Sequence, residues 1–349
     1  MPLLSIALAV FAVEVPFFFF GMPSGHDFEF HLYSWLDALS QWKQGIFYPR
    51  WAALAHFAYG EPRFIFYPPA SWTLGAALSA IFPFTWASNV YIWVVLVCAG
   101  VSMFLLARRW LDWRDATWAA VLYAVNPYHL VIVYWRSAFA ELLASTLLPL
   151  LLLLVLRAAE GRRRVVIPLA WVLAAAWLVN APSAVMIHYS FVLLIMVVAW
   201  QQRSGRILLT GAASVLLGAA LAAFYLVPAT YEQKWVDIGL VVSYGVRPID
   251  NFLFSHTPDP DHNAFNYLVS SVAVAEIVLT LALVWAARKL RDSKKIWYAL
   301  AVWAAACAVL MIPITNPLWS ILPKLRFMQF PWRWMLSLGV PFSLLLVMA

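Results

Sequence analysis

Long apolar runs separated by short polar turns dominate the chain, and their lengths predict helices rather than strands. The runs 2–20, 87–107, 115–134, 138–156, 165–181, 183–200, 207–228, 267–287, 296–315 and 332–349 approach the roughly 20 residues that a helix needs to cross hydrocarbon. They predict an all-α, polytopic transmembrane helical bundle of about ten spans, with 1–349 forming a single integral membrane domain. The first run lacks a basic leader region and a small-residue cleavage site, so it reads as a retained span. It carries Glu14, and a carboxyl at that depth is expected to face the bundle interior. The last run stops at Ala349 with no polar tail, which leads to the expectation of a C-terminally incomplete chain.

Between the first two spans lies a polar segment, 21–86. Gly21, Pro23 and Gly25 break the first helix, and a second helix is expected from Asp27 to Gln44. Phe28, Leu32, Trp35 or Leu36, Leu39 and Trp42 recur at intervals of three and four, with Asp27, His31 and Ser34 on another stripe. That pattern predicts an amphipathic helix on the membrane surface, with Asp27 exposed at its start. The apolar stretch after Pro69 runs only about 12 residues before Pro83, too short to cross, and reads as a re-entrant or interfacial element.

Composition sharpens this picture. Apolar residues make up 64% of the chain and charged residues 11%, too little charge to clothe a soluble surface. The net charge of +7 is unevenly distributed. With the N-terminus cytoplasmic, the turns around Arg108-Arg109-Arg114, Arg157 with Arg162-Arg163-Arg164, Arg203-Arg206, and Arg288-Lys289-Arg291-Lys294-Lys295 hold fourteen basic residues. They hold four acidic ones, Asp112, Asp115, Glu160 and Asp292. The other face holds nine basic and ten acidic residues. This alternation obeys the positive-inside rule and turns 21–86 and the loop 229–266 outward. The basic residues sit among membrane segments without a recognition fold, which argues against nucleic-acid binding. Cys98 and Cys307 lie in apolar runs and form no metal-spaced cluster.

The scarce outward polar groups gather in four places. Asp27 and His31, one helical turn apart, fit an acid–imidazole pair or two metal ligands; Ser24 or Asp27 equally fits a helix cap. His26, adjacent to Asp27, is expected to point elsewhere. In Asn126–Glu141, Arg136 suits an anionic lipid head, or pairs with Glu141, or snorkels to the interface. The turn-rich run Ser255–Asn266 reads as a solvated turn, with a weak divalent-cation contribution as the alternative. In Pro323–Trp334, Lys324, Arg326 and Arg333 interleave with Phe327, Phe330, Trp332 and Trp334, suiting an anionic headgroup or interfacial anchoring.

Several motifs together carry a family resemblance: GHDFEFH at Gly25–His31, YPRW at Tyr48–Trp51, YGEPRFIFYPP at Tyr59–Pro69, YWRSAFAE at Tyr134–Glu141 and QFPWRW at Gln329–Trp334. The chain resembles bacterial multispanning membrane proteins of the 6-pyruvoyl-tetrahydropterin-synthase-related family. Neither the small soluble fold nor the three-histidine zinc site of the pterin synthase itself is present. In layout these proteins are similar to GT-C glycosyltransferases, which use polyprenyl-phosphate sugars. That resemblance implies that Asp27, in the first external loop, serves as catalytic base or binds a divalent cation, with Glu141 as its counterpart in the second. The chain departs from the oligosaccharyltransferase form: the second loop lacks an Asp-x-Asp or Asp-x-Glu pattern, and residues 1–349 include no large soluble periplasmic domain.

The expected function is therefore transfer of a sugar from a polyprenyl phosphate to an unidentified sugar, lipid or protein acceptor, at the external face of the bacterial inner membrane. Asp27 would take the acceptor's proton, His31 or Glu141 would orient it, and Arg136, Arg326 or Arg333 would hold the phosphate. The competing expectations are a lipid or solute transporter using Glu14 and Glu276, and a noncatalytic assembly protein.

Overall fold

The computed structural model describes residues 1–161, 163–288 and 294–349. Arg162, Lys289, Arg291 and Asp292, counted in the basic turns, lie outside the described residues. The regular secondary structure of the described residues is helical, apart from one isolated extended bridge between Ala52 and Glu61. Seven helices are long and apolar enough to cross a membrane, and two further pairs, bent by 71° and 87°, raise the number to nine. Val166–Val179 has only 14 residues, about 21 Å of helix, and makes up the difference from the expected ten. The run expected at 207–228 is one of the bent pairs, breaking at Ala222; the run at 296–315 is the other, breaking before Pro313.

The first helix shows how the bundle is solvated. Ile6, Val10, Glu14 and Phe17 form its buried face, while Leu4, Leu8, Phe11, Phe18 and Phe19 are exposed. An apolar exterior of this kind is stable only against lipid.

Contacts sort the helix ends into two faces. Phe18, near the end of the first helix, packs on Trp86 at the start of Phe84–Ala107. Trp135 and Arg136 bond to His26 and Asp27, so Trp113–Arg136 ends on that same face. His26 meets Phe265, so Pro260–Ala287 begins there too. The opposite face carries Arg108, Arg114, Arg157, Arg203 and Lys295, and an ion pair between Arg109 and Glu160 ties two of its turns.

The second helix spans Phe28–Lys43, one residue shorter at each end than expected, and its orientation reverses the simple amphipathic reading. His31, Ser34, Asp37 and Gln41 are buried together with Trp35 and Ala38, whereas Leu36 is exposed. The polar stripe turns inward because the connecting segment satisfies it. Asp37 accepts from Ala53 N (3.1 Å) and Leu54 N (2.9 Å), Gln41 Nε2 donates to Trp51 O (2.8 Å), and Arg63 Nη1 donates to Ser34 Oγ (3.0 Å). Buried groups bonded in this way avoid the penalty of desolvation without a partner. Pro69–Ile81 forms the short 13-residue helix and packs on this one, with Gly75 over the Trp35 ring, where a Cβ would lie 2.0 Å from Trp35 Cε2.

Candidate active site

The site is built around a break in the Trp113–Arg136 span. Asn126 caps a new helical segment by accepting from Tyr128 N (2.8 Å). A π-helical turn, Ile132–Arg136, then ends it. Ser137 adopts a left-handed conformation (φ 49°) and reverses the chain into Phe139–Ala144. Arg136 and Glu141 thereby face each other across the reversal.

Glu141 is the hub of a buried charge cluster. Its Oε2 accepts from Arg136 Nη1 (2.5 Å) and Arg333 Nε (3.0 Å), and its Oε1 accepts from the Tyr128 hydroxyl (2.5 Å). Arg333 also donates from Nη1 to Met328 O (2.6 Å) and Gln329 Oε1 (3.2 Å). The guanidinium of Arg136 lies 4.8 Å from the Trp332 ring centre, a cation–π geometry. Of the three readings of Arg136, pairing with Glu141 is realised. Yet among the described residues only Nη1 of Arg136 makes hydrogen bonds, to Glu141 and to the Tyr128 hydroxyl (3.2 Å), which leaves Nε and Nη2 without protein partners.

The segment before the second helix is fastened to this reversal. Asp27 N donates to Arg136 O (2.9 Å), Gly25 N donates to Ser137 Oγ (3.1 Å), and Ser137 Oγ donates to Pro23 O (3.2 Å). A Cβ on Gly25 would sit 2.5 Å from Trp135 O, so the close approach requires glycine there. Asp27 occupies the capping position, but its side chain makes no capping hydrogen bond. Among the described residues its carboxylate accepts no hydrogen bond at all.

A cavity of about 290 Å³ opens on this seam, lined by Asp27 and Arg136 together with His26, His262, Phe265 and Trp332. Gly245, Val246, Asn251 and Phe330 complete it. The wall from the 229–266 loop is held by internal bonds: Arg247 is bidentate to Asp250 (2.9 Å each), and Asn251 Nδ2 donates to Gly245 O (3.0 Å). Burial holds the His26 imidazole below its ordinary pKa, helped by the Arg136 charge.

Not every expected residue reaches this cavity. His31 is buried among Phe30, Trp35, Tyr67 and Phe139, with Nδ1 unpartnered, and burial lowers its pKa to about 4. It is a neutral core imidazole rather than a lining group, and only its backbone N–H bonds to Asp27 O (3.1 Å). Arg326 is exposed, with its guanidinium over Phe327. Glu141 and Arg333 stand behind Arg136, outside the lining. Among the described residues no group of three or more His, Cys, Asp or Glu side chains is placed to hold a metal ion. Asp27 with the adjacent imidazoles does not fit a divalent cation on its own. His26 and His262 were the residues that sequence reasoning undervalued; His262 and Phe265, three apart, share a helix face, a signal that was available.

A model of the 6-pyruvoyl-tetrahydropterin synthase related domain, described as a membrane protein, matches residues 64–343. The chain belongs to this family of membrane proteins. No curated protein matches it. Among solved structures, the chain is similar to ArnT from Cupriavidus metallidurans bound to undecaprenyl phosphate. The TM-score is 0.52 at 12% identity, covering 98% of this chain and 76% of that one. That likeness shows a GT-C-like fold.

Proposed function

We propose that this family member is a membrane glycosyltransferase that takes a sugar from a polyprenyl-phosphate donor and passes it to an acceptor hydroxyl at the Asp27 face. One observation carries the reading: an uncommitted carboxylate, Asp27, and a guanidinium with two free nitrogens, Arg136, line the same cavity. The GT-C-like fold, shared with a protein that binds undecaprenyl phosphate, supports it. At about 290 Å³ the cavity suits a sugar-phosphate head, leaving the isoprenoid chain to the surrounding lipid.

The chemistry is a single displacement. The Asp27 carboxylate accepts the acceptor's hydroxyl proton, and the freed oxygen attacks the anomeric carbon. The bond from that carbon to the phosphate oxygen breaks, and the phosphate leaves with the electron pair, met by Nε and Nη2 of Arg136. The anomeric centre inverts. Glu141 and Arg333 hold Arg136 in place, so they are positioning residues. The basic turns of the opposite face support a cytoplasmic assignment for it and an external one for Asp27, in the bacterial inner membrane. The short Pro69–Ile81 helix fits a re-entrant element, and Val166–Val179 a tenth, thin crossing.

The test is transfer from a panel of polyprenyl-phosphate sugars, followed by product mass and lipid release. Asp27→Asn should abolish transfer while retaining undecaprenyl-phosphate binding; normal turnover by that variant would refute the role. A transporter would instead draw on Glu14 and Glu276, each buried with one oxygen unpartnered. On the transferase reading, Glu14→Gln and Glu276→Gln leave transfer intact.

A further inference from the structure

A second binding feature lies on the opposite face, at the junction of the helices Ala181–Gln202, Gly205–Leu221 and Lys294–Leu310. A cavity of about 490 Å³ there is lined by Trp200, Gln201, Arg203, Lys295 and Tyr298. Among the described residues its two cations face no lining carboxylate, and neither Arg203 nor Lys295 is in an ion pair. Its aromatic walls meet with ring centres 5.7 Å apart. Gln201 Nε2 donates to Lys295 O (3.1 Å), joining the two helices at the rim.

This cationic mouth adjoins an apolar groove. Trp200 is shared with a neighbouring cavity of about 250 Å³. That cavity shares Met196 and Leu208 with a third, of about 400 Å³, running between the two helices as far as Phe191 and Leu216. The groove exists because Gly211 and Ala212 keep its floor low. From Trp200 to Phe191 the helix rises about 14 Å, close to the roughly 15 Å of one leaflet's hydrocarbon.

We infer that the mouth and the adjoining groove together form a binding site for an anionic diacyl glycerophospholipid of the leaflet opposite the Asp27 cavity. The phosphate sits between Arg203 and Lys295. The glycerol lies against Trp200 and Tyr298, and one acyl chain fills the groove past Ala212. Charge selects the occupant. Two cations with no carboxylate among the described lining residues favour a lipid with net negative charge over a zwitterion, whose own ammonium group would meet the same cations. The inference stands apart from the proposed transferase activity.

The test uses the full chain in nanodiscs holding a trace of phosphatidylglycerol or phosphatidylcholine, each with a diazirine in one acyl chain. Crosslinked peptides are read by mass spectrometry. Phosphatidylglycerol should label residues 191–216 about tenfold more than phosphatidylcholine does, in line with the attraction of two juxtamembrane cations. Arg203→Gln with Lys295→Gln, both exposed positions, should bring that ratio close to one. Ala212→Phe, also exposed, should displace the acyl label of either lipid from the groove. Equal labelling by both lipids in the unaltered chain, labelling elsewhere than the groove, or a preference that survives loss of both cations overturns the inference. If Ala212→Phe fails to fold, the paired charge substitution decides alone.

Discussion

Replacing Glu141 by Leu removes the sole carboxylate among the described residues bonded to two buried guanidiniums, Arg136 at 2.5 Å and Arg333 at 3.0 Å. The two arginines are 2% and 7% exposed, so neither can recover full hydration in place. Breaking a buried pair from one side costs about 3–5 kcal/mol, largely from the charge left behind. Arg333→Met on its own is milder, about 2 kcal/mol, because Glu141 keeps Arg136 and Tyr128. The double variant leaves one uncompensated cation instead of two. Its total should therefore stay near 4 kcal/mol rather than reach the additive value of about 6, a coupling of about 2 kcal/mol within the range for contacting residues. Unfolding in mixed detergent micelles, followed by tryptophan fluorescence on all four members of the cycle, measures this. Additivity within about 0.5 kcal/mol would refute the cluster as a coupled unit. Replacing all three charged groups by apolar ones of similar volume should restore much of the stability while abolishing undecaprenyl-phosphate binding, which separates the structural and functional roles.

The His31 imidazole, held near pKa 4 by burial, binds protons less readily folded than unfolded. Its stabilising contribution is complete above pH 6.5 and is lost as pH falls toward 4, by about 3 kcal/mol in all; His31→Phe should remove that component from the pH–stability profile, and an unchanged slope would contradict it. His26, lowered by burial and by Arg136, should gain its proton when an anion enters the cavity. Undecaprenyl-phosphate affinity should therefore rise as falling pH protonates His26, and His26→Gln should flatten that rise in a binding titration. Gly25→Ala drives a methyl to within 2.5 Å of Trp135 O. It should cost about 1–3 kcal/mol and speed amide hydrogen exchange at Asp27, whose N–H is bonded to Arg136 O.

The bundle was legible because run length alone distinguishes a span from a surface segment. Pro2–Phe20 falls on its expected bounds, and Phe84–Ala107 and Ala181–Gln202 differ only at their ends. Periodicity also separated the two stripes of Phe28–Lys43, but it cannot say which stripe faces protein. Beside lipid, apolar side chains such as Leu36 are stable outside, and polar ones such as Asp37 and Gln41 go inward when backbone groups await them. Helical spacing likewise paired Asp27 with His31, yet the helix begins at Phe28. Asp27 belongs to the preceding turn, where the i, i+4 rule does not apply, and its neighbour His26 shares its cavity instead.

The charge cluster was the least legible part, because each member had a sufficient local explanation. Arg136 suited an interface or a pair with Glu141, and Arg333 an aromatic anchor. Only folding brings Arg333 across 192 positions to Glu141. Two guanidiniums and a phenol already bond the oxygens of Glu141, so a proton taken from an acceptor would compete with those bonds. Asp27 faces no such competition. On the proposed transferase reading, the division of labour between the two acids follows from what is already bonded to each: Glu141 fixes the cation, and Asp27 is left to react.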